Sequence, residues 1–177
     1  SKSQPSSIEF GKPTIQNSLS ELDDQPLILT DSDNKDEPYE QIQFNIAKRA
    51  DRYVVSFDVL VSIASGEFSV FFDTPTIQVL SFKPYQEIIV TQKMNNGHFV
   101  SETIGKYETN KVYKIFVTID IKNKEWSIVI DNETVFKEEF FAESDDIQNI
   151  RFNNGQFLYG TKGMVGIDNI KISATSS

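Results

Sequence analysis

The feature that most constrains this chain is a period of two. In "VYKIFVTIDI" (112–121), Tyr113, Ile115, Val117, Ile119 and Ile121 alternate with Lys114, Phe116, Thr118 and Asp120. Successive side chains of a strand point to opposite faces, so the pattern describes a strand with one buried face. A helix would need apolar residues three or four positions apart. "RYVVSFDVLV" (52–61) repeats the alternation with Tyr53, Val55, Phe57, Val59 and Val61. "GEFSVFFD" follows across a turn at Gly66 and places Phe68, Val70 and Phe72 together. "TIQVLSF", "EIIVT", "HFVSETI", "EWSIVID", "TVFKEEF", "IQNIRF" and "MVGIDNIKIS" continue the series, and "IEF", "PTIQ", "PLILT" and "YEQIQFNI" precede it. Roughly a dozen short strands separated by polar turns result. The one helical turn expected is a short one near residues 140–145.

Many alternating strands without an amphipathic helix predict an all-β fold, a two-sheet antiparallel β-sandwich of jelly-roll form. A length of 177 residues suits one domain, expected over 8–174 behind a flexible segment 1–7. Fourteen Phe against 2 Met and 1 Trp favour a β core. The Ser-rich start "SKSQPSS" lacks Met and reads as a tether trimmed behind a leader or lipid anchor. The expected location is therefore secreted or cell-surface, including a lipid-anchored bacterial protein.

With 17 basic and 26 acidic residues, the net charge is −9. Such a surface repels phosphate backbones, which excludes nucleic acid as a partner held by charge. No apolar run reaches the roughly 18 residues of a transmembrane helix. Cys is absent, which removes disulfides, thiol nucleophiles and cysteine metal sites. His98, the only His, stands beside the turn "NNG" and reads as a surface residue. Zinc would need further His or Cys ligands. Neither a Gly-x-Ser-x-Gly elbow nor a phosphate-binding Gly loop is present.

The last strand, "MVGIDNIKIS", changes parity. Val165 and Ile167 share a face, but Ile170 and Ile172 take it over afterwards. A β-bulge at Asp168-Asn169 is the simplest cause, and Asp168 would cap a freed backbone group or hold a cation.

Residues 113–152, "YKIFVTIDIKNKEWSIVIDNETVFKEEFFAESDDIQNIRF", resemble the second half of concanavalin A-like (laminin-G-like) jelly-roll domains. Those carry a V-x-V-x-D … W-x-V-x-V-D-G rhythm and a final strand with Asp-Asn before Ile or Val, a place filled here by "VGIDNIKIS". Asn132 stands where that family usually has Gly. "YEQIQFNIAKRADRYVVSFDVLVS" is also similar to the first strands of galactose-binding-like carbohydrate-binding modules. Glucanases of the first superfamily aim a Glu-x-Asp-x-x-Glu set from one strand, with the outer pair about 5 Å apart in retaining enzymes. The nearest match, "ESDDIQ", offers Glu143 and Asp145 but Gln148 in third place, and Gln cannot protonate a leaving group.

The resemblance thus implies a non-catalytic binding module for carbohydrate. A surface protein is the alternative partner, and a glycan-active hydrolase or lyase comes third. Sugar binding calls for aromatic faces with amides and carboxylates beside them. The spacing of Trp126 with Ile128 and Ile130 places it in the core instead. The exposed candidates are Tyr85 in "FKPYQE", Tyr107 in "GKYET", and Phe157 and Tyr159 in "NNGQFLYGTKG", with Asn153, Asn154 and Gln156.

Calcium is the cofactor considered, because "DSDNKDE" supplies Asp31, Asp33 and Asp36 beside Glu37. Lys35 and Asp36 break the EF-hand pattern, and a solvated acidic loop is the plainer description. The galactose-binding-like resemblance implies a second calcium pair, Glu9 from "IEFG" and Asp168, with Glu9 before the Phe rather than after it. "NET" at Asn132 is a formal N-glycosylation sequon.

Overall fold

The computed structural model describes residues 5–10, 27–30, 39–46, 50–64, 66–73, 77–94, 96–139, 147–155 and 163–175. These residues form strands and turns without a helix. The strands are β1 (Pro5–Phe10), β2 (Leu27–Thr30), β3 (Tyr39–Asn45), β4 (Arg52–Ala64), β5 (Glu67–Asp73), β6 (Ile77–Phe82) and β7 (Glu87–Lys93). They continue with β8 (Phe99–Lys106), β9 (Val112–Asp120), β10 (Glu125–Ile130), β11 (Glu133–Glu139), β12 (Asn149–Gly155) and β13 (Gly163–Thr175). Strand β1 begins inside the segment expected to be flexible. The expected strand "PTIQ" and the helical turn near 140–145 lie outside the described residues.

Two antiparallel sheets result, as the alternation requires. One has seven strands in the order β1-β3-β12-β5-β6-β7-β8, the other six in the order β11-β10-β9-β4-β13-β2. The inward residues of β4 and β9, among them Val55, Phe57, Ile115 and Val117, meet Ile150, Phe152, Val70, Phe72 and Leu80 of the facing sheet in one apolar core. Phe152 locks the two layers: its ring stands edge-on to Phe57 of the other sheet at 5.1 Å and to Phe44 of its own at 5.9 Å. Such edge-to-face pairs add about 1 kcal/mol each beyond the area they bury.

Trp126 belongs to the core, as its spacing predicts. Its ring packs on Phe136 at 4.8 Å, and its Nε1 donates to Gln92 Oε1 of the facing sheet at 3.3 Å. The hairpin between β10 and β11 turns through Asp131 and Asn132 at φ of 48° and 69°. A two-residue hairpin turn wants positive φ at both positions, and Asn tolerates it, so the missing Gly is accommodated.

The bulge in the last strand is present. Pairing of β13 with β4 slips between Asp168 and Lys171, and Asn169 sits at φ 52°. Val165, Ile167 and Ile172 consequently all face the core, with Ile170 partly buried against it. Asp168 takes the capping role: its Oδ1 accepts the Asn169 N–H at 2.8 Å. The Asn169 side chain reaches on to β4, where Nδ2 donates to Asp58 Oδ2 at 2.9 Å.

Candidate functional site

Alternation on the seven-stranded sheet sends Phe44, Phe68, Val70, Phe72, Leu80, Phe82, Ile150 and Phe152 inward. The residues between them therefore share the outward face. Register places Arg151 of β12 between Gln43 of β3 and Phe71 of β5, and Phe71 opposite Val79 of β6. One step along, Asn153 stands beside Ser69, and Ser69 beside Ser81. A further step brings Glu67 toward Lys83 at the sheet's end.

The middle of this face is buried. Ser69 and Ser81 point away from the core, yet are only 4% and 3% exposed. Their hydroxyls lie 3.0 Å apart, and Ser69 Oγ also donates to Glu67 Oε1 at 3.2 Å. Lys83 Nζ holds the same carboxylate oxygen at 2.8 Å. The Arg151 guanidinium lies over the Phe71 ring, 4.6 Å from its centre, which fixes the cation on an apolar platform. On either side of it, Asn149 Oδ1 and Asn153 Oδ1 are buried without accepting a hydrogen bond. Buried acceptors without donors are rare in folded proteins and mark places where a ligand or water belongs.

The predicted sugar-contacting residues divide sharply. Asn153 is on this face, whereas its neighbour Asn154 is buried with the opposite parity. Tyr85 is in the β6–β7 turn and 61% exposed, as expected. Tyr107 corrects the expectation: it is 3% exposed, with its ring edge-on to Phe82 at 5.3 Å and its hydroxyl donating to the Lys83 carbonyl at 2.5 Å. A Tyr in the polar context "GKYET" reads as exposed, but its phenol has a backbone acceptor to reach. Burial first, and Tyr113 second, push the Tyr107 phenol up to about 12.

Gln156, Phe157 and Tyr159 lie outside the described residues, as do Asp31, Asp33, Asp36, Glu143 and Asp145. Glu9 is in β1 of the seven-stranded sheet and Asp168 in β13 of the other, so the two are not strand neighbours. Among the described residues, no three of His, Cys, Asp and Glu come together as metal ligands. His98 is exposed in its turn, where its N–H donates to Asn96 Oδ1 at 3.0 Å. Arg151, Phe71 and Asn149 are the residues that motif reasoning passes over. The signal for two of them was local, since Ile150 and Phe152 as inward residues put Asn149, Arg151 and Asn153 on one outward row.

Comparison with known proteins fits this lectin-like arrangement. A family model described as "Sialidase-like, CBM domain" matches residues 13–161, and the chain belongs to this family of carbohydrate-binding modules. Among solved structures, a sialidase aligns with a TM-score of 0.70 at 20% identity, covering 95% of this chain and 17% of the sialidase. The chain thus spans a small part of that protein. An alginate lyase aligns with a TM-score of 0.68 at 11% identity, over 93% of this chain and 78% of the lyase. A galectin of Caenorhabditis elegans aligns with a TM-score of 0.58 at 12% identity, over 74% of this chain and 89% of the galectin. No curated protein sequence matches. These likenesses establish the lectin-like jelly roll that the sequence resemblance implied, and membership of a carbohydrate-binding family supports a carbohydrate-binding role.

Proposed function

We propose that this chain is an exported, non-catalytic module that holds a glycan on the outward face of the seven-stranded sheet. The observation that carries the proposal is the pair of buried amide oxygens of Asn149 and Asn153, flanking Arg151 on its Phe71 platform. A buried acceptor without a donor costs about 1–3 kcal/mol. Sugar hydroxyls are the donors such a row lacks. Residues four apart on a strand are about 13 Å apart, a span suited to an oligosaccharide laid along β12. Arg151 adds donors fixed in a plane, and Tyr85 offers an exposed ring at the β6–β7 rim.

The Glu67 carboxylate on this face is already engaged by Lys83 and Ser69, which supports binding over proton transfer. Among the described residues no helix is long and apolar enough to cross a membrane. A structural calcium remains a proposal from the acidic segment 31–37, tested by the shift in melting temperature between calcium and a chelator.

A glycan array with the purified chain, followed by calorimetry on the best ligand, tests the principal claim. Saturable binding weakened at least tenfold by Arg151→Ala or Asn153→Ala is the expected result. An array without binding would sink the claim and favour a protein partner. Binding indifferent to both substitutions would move the ligand off this face.

A further inference from the structure

The outward face of the six-stranded sheet carries a different set of groups. Strand β4 runs between β9 and β13, with Asp58 opposite Lys114 and Ser56 opposite both Phe116 and Lys171. The bulge in β13 breaks the regular face here and leaves a shallow depression of about 280 Å³, lined by Ser56, Asp58, Lys114, Phe116, Asn169 and Lys171. Phe116 is 43% exposed, whereas Phe57, the other aromatic residue of the lining, is buried in the core. Lys114 and Lys171 are exposed, and among the described residues neither ammonium forms an ion pair, although Asp58 stands opposite Lys114 and Asp131 Oδ1 accepts the Lys114 backbone N–H at 2.9 Å. Two unpaired cations facing one depression are notable in a chain whose net charge is −9.

The geometry points to a second binding site here, on the face opposite the glycan row, for a uronic-acid residue of an acidic polysaccharide. Each requirement of that ligand has a counterpart. Lys114 and Lys171 stand diagonally across β4, about 12 Å apart at the backbone, and their flexible stems let the ammonium groups close on a carboxylate between them. Phe116 supplies an apolar surface for one side of a pyranose ring.

Asp58 makes the site selective. One of its oxygens accepts from Asn169 Nδ2, and a carboxylate retains further acceptor capacity for sugar hydroxyls. An inorganic anion meets the same carboxylate without a pyranose ring for Phe116 or the several ring hydroxyls that a sugar can donate to Asp58. The same bulge holds Asn169 in place through its N–H bond to Asp168, so the Asp58–Asn169 part of the lining is set before a ligand arrives. This site depends on none of the residues assigned to the glycan row, and either can fail without the other.

The test is an amide NMR titration of the whole chain at low salt with trigalacturonate, with maltotriose and inorganic phosphate as separate probes. Saturable shifts at Phe116, Asn169 and Lys171 are expected with trigalacturonate, weakening with added salt. The Lys114→Gln/Lys171→Gln variant, both positions being exposed, is expected to keep a dispersed spectrum and bind at least tenfold more weakly. Arg151→Ala is expected to leave these shifts unchanged. No saturable shift, equal shifts from maltotriose or phosphate, or full binding by the double variant would each overturn the proposal.

Discussion

The two outward faces of the sandwich are built on one core but offer different chemistry. On the seven-stranded sheet the middle is buried, its serines bond to each other, its cations Lys83 and Arg151 lie against Glu67 and the Phe71 ring, and amide oxygens are left as acceptors. On the six-stranded sheet Lys114, Phe116 and Lys171 are exposed, and among the described residues neither cation forms an ion pair. The first face is suited to reading hydroxyls and the second to reading charge. The difference comes from local backbone: the seven-stranded face keeps regular pairing through β12, β5 and β6, while the bulge at Asp168-Asn169 opens the other.

The largest break in this comparison comes from removing what the faces share. Phe152→Ala deletes the ring that meets both Phe57 and Phe44, and large-to-small changes at such positions cost about 3–5 kcal/mol. Chemical denaturation is expected to show that loss with both ligand responses falling together. A cost under about 1 kcal/mol would mean that the sheets are locked elsewhere.

Next comes a substitution confined to the seven-stranded face. Arg151→Ala is expected to weaken glycan binding at least tenfold, about 1.4 kcal/mol or more, with little change in melting temperature. A large drop in stability with intact affinity would make Arg151 a structural partner of Phe71 instead.

How much of this was legible beforehand follows from the range of each interaction. The alternation in β4, β9 and β10 is local, so strands, inward residues and the burial of Trp126 could be read directly. The bulge was legible as well, because parity is a property of one strand. The outward face of the seven-stranded sheet was not. Arg151 meets Phe71 only through the pairing of β12 with β5, strands far apart in the chain, and register at that range leaves no mark in a short motif. Loop aromatics drew attention because function often sits on loops, and Tyr107 shows the hazard: its polar neighbours conceal a phenol that is tied to a backbone carbonyl.

A smaller effect sharpens the bulge side. Asn169 holds a left-handed backbone and donates to both Asp168 and Asp58. Asn169→Ala keeps the backbone N–H but loses the amide bridge and strains the conformation, an expected cost of about 1 kcal/mol. Asn169→Gly relieves the strain and is expected to be the milder change. Equal stability of the two variants would show that the backbone at this position relaxes without cost.

The smallest effect belongs to Tyr107, which supports the Lys83 end of the seven-stranded face. Its phenol donates to the Lys83 carbonyl, and ionisation would remove that donor. Burial raises the group from 10.0 to about 12 in the folded chain, so its contribution to stability is complete below pH 10 and is lost as pH rises through about 12. Tyr107→Phe removes one hydrogen bond and is expected to cost about 1 kcal/mol or less at neutral pH. Above pH 10 its stability should fall less steeply than that of the parent chain, and the two curves should cross between pH 10 and about 12. Parallel curves across that window would mean that the phenol ionises as easily folded as unfolded, and that burial does not hold its proton.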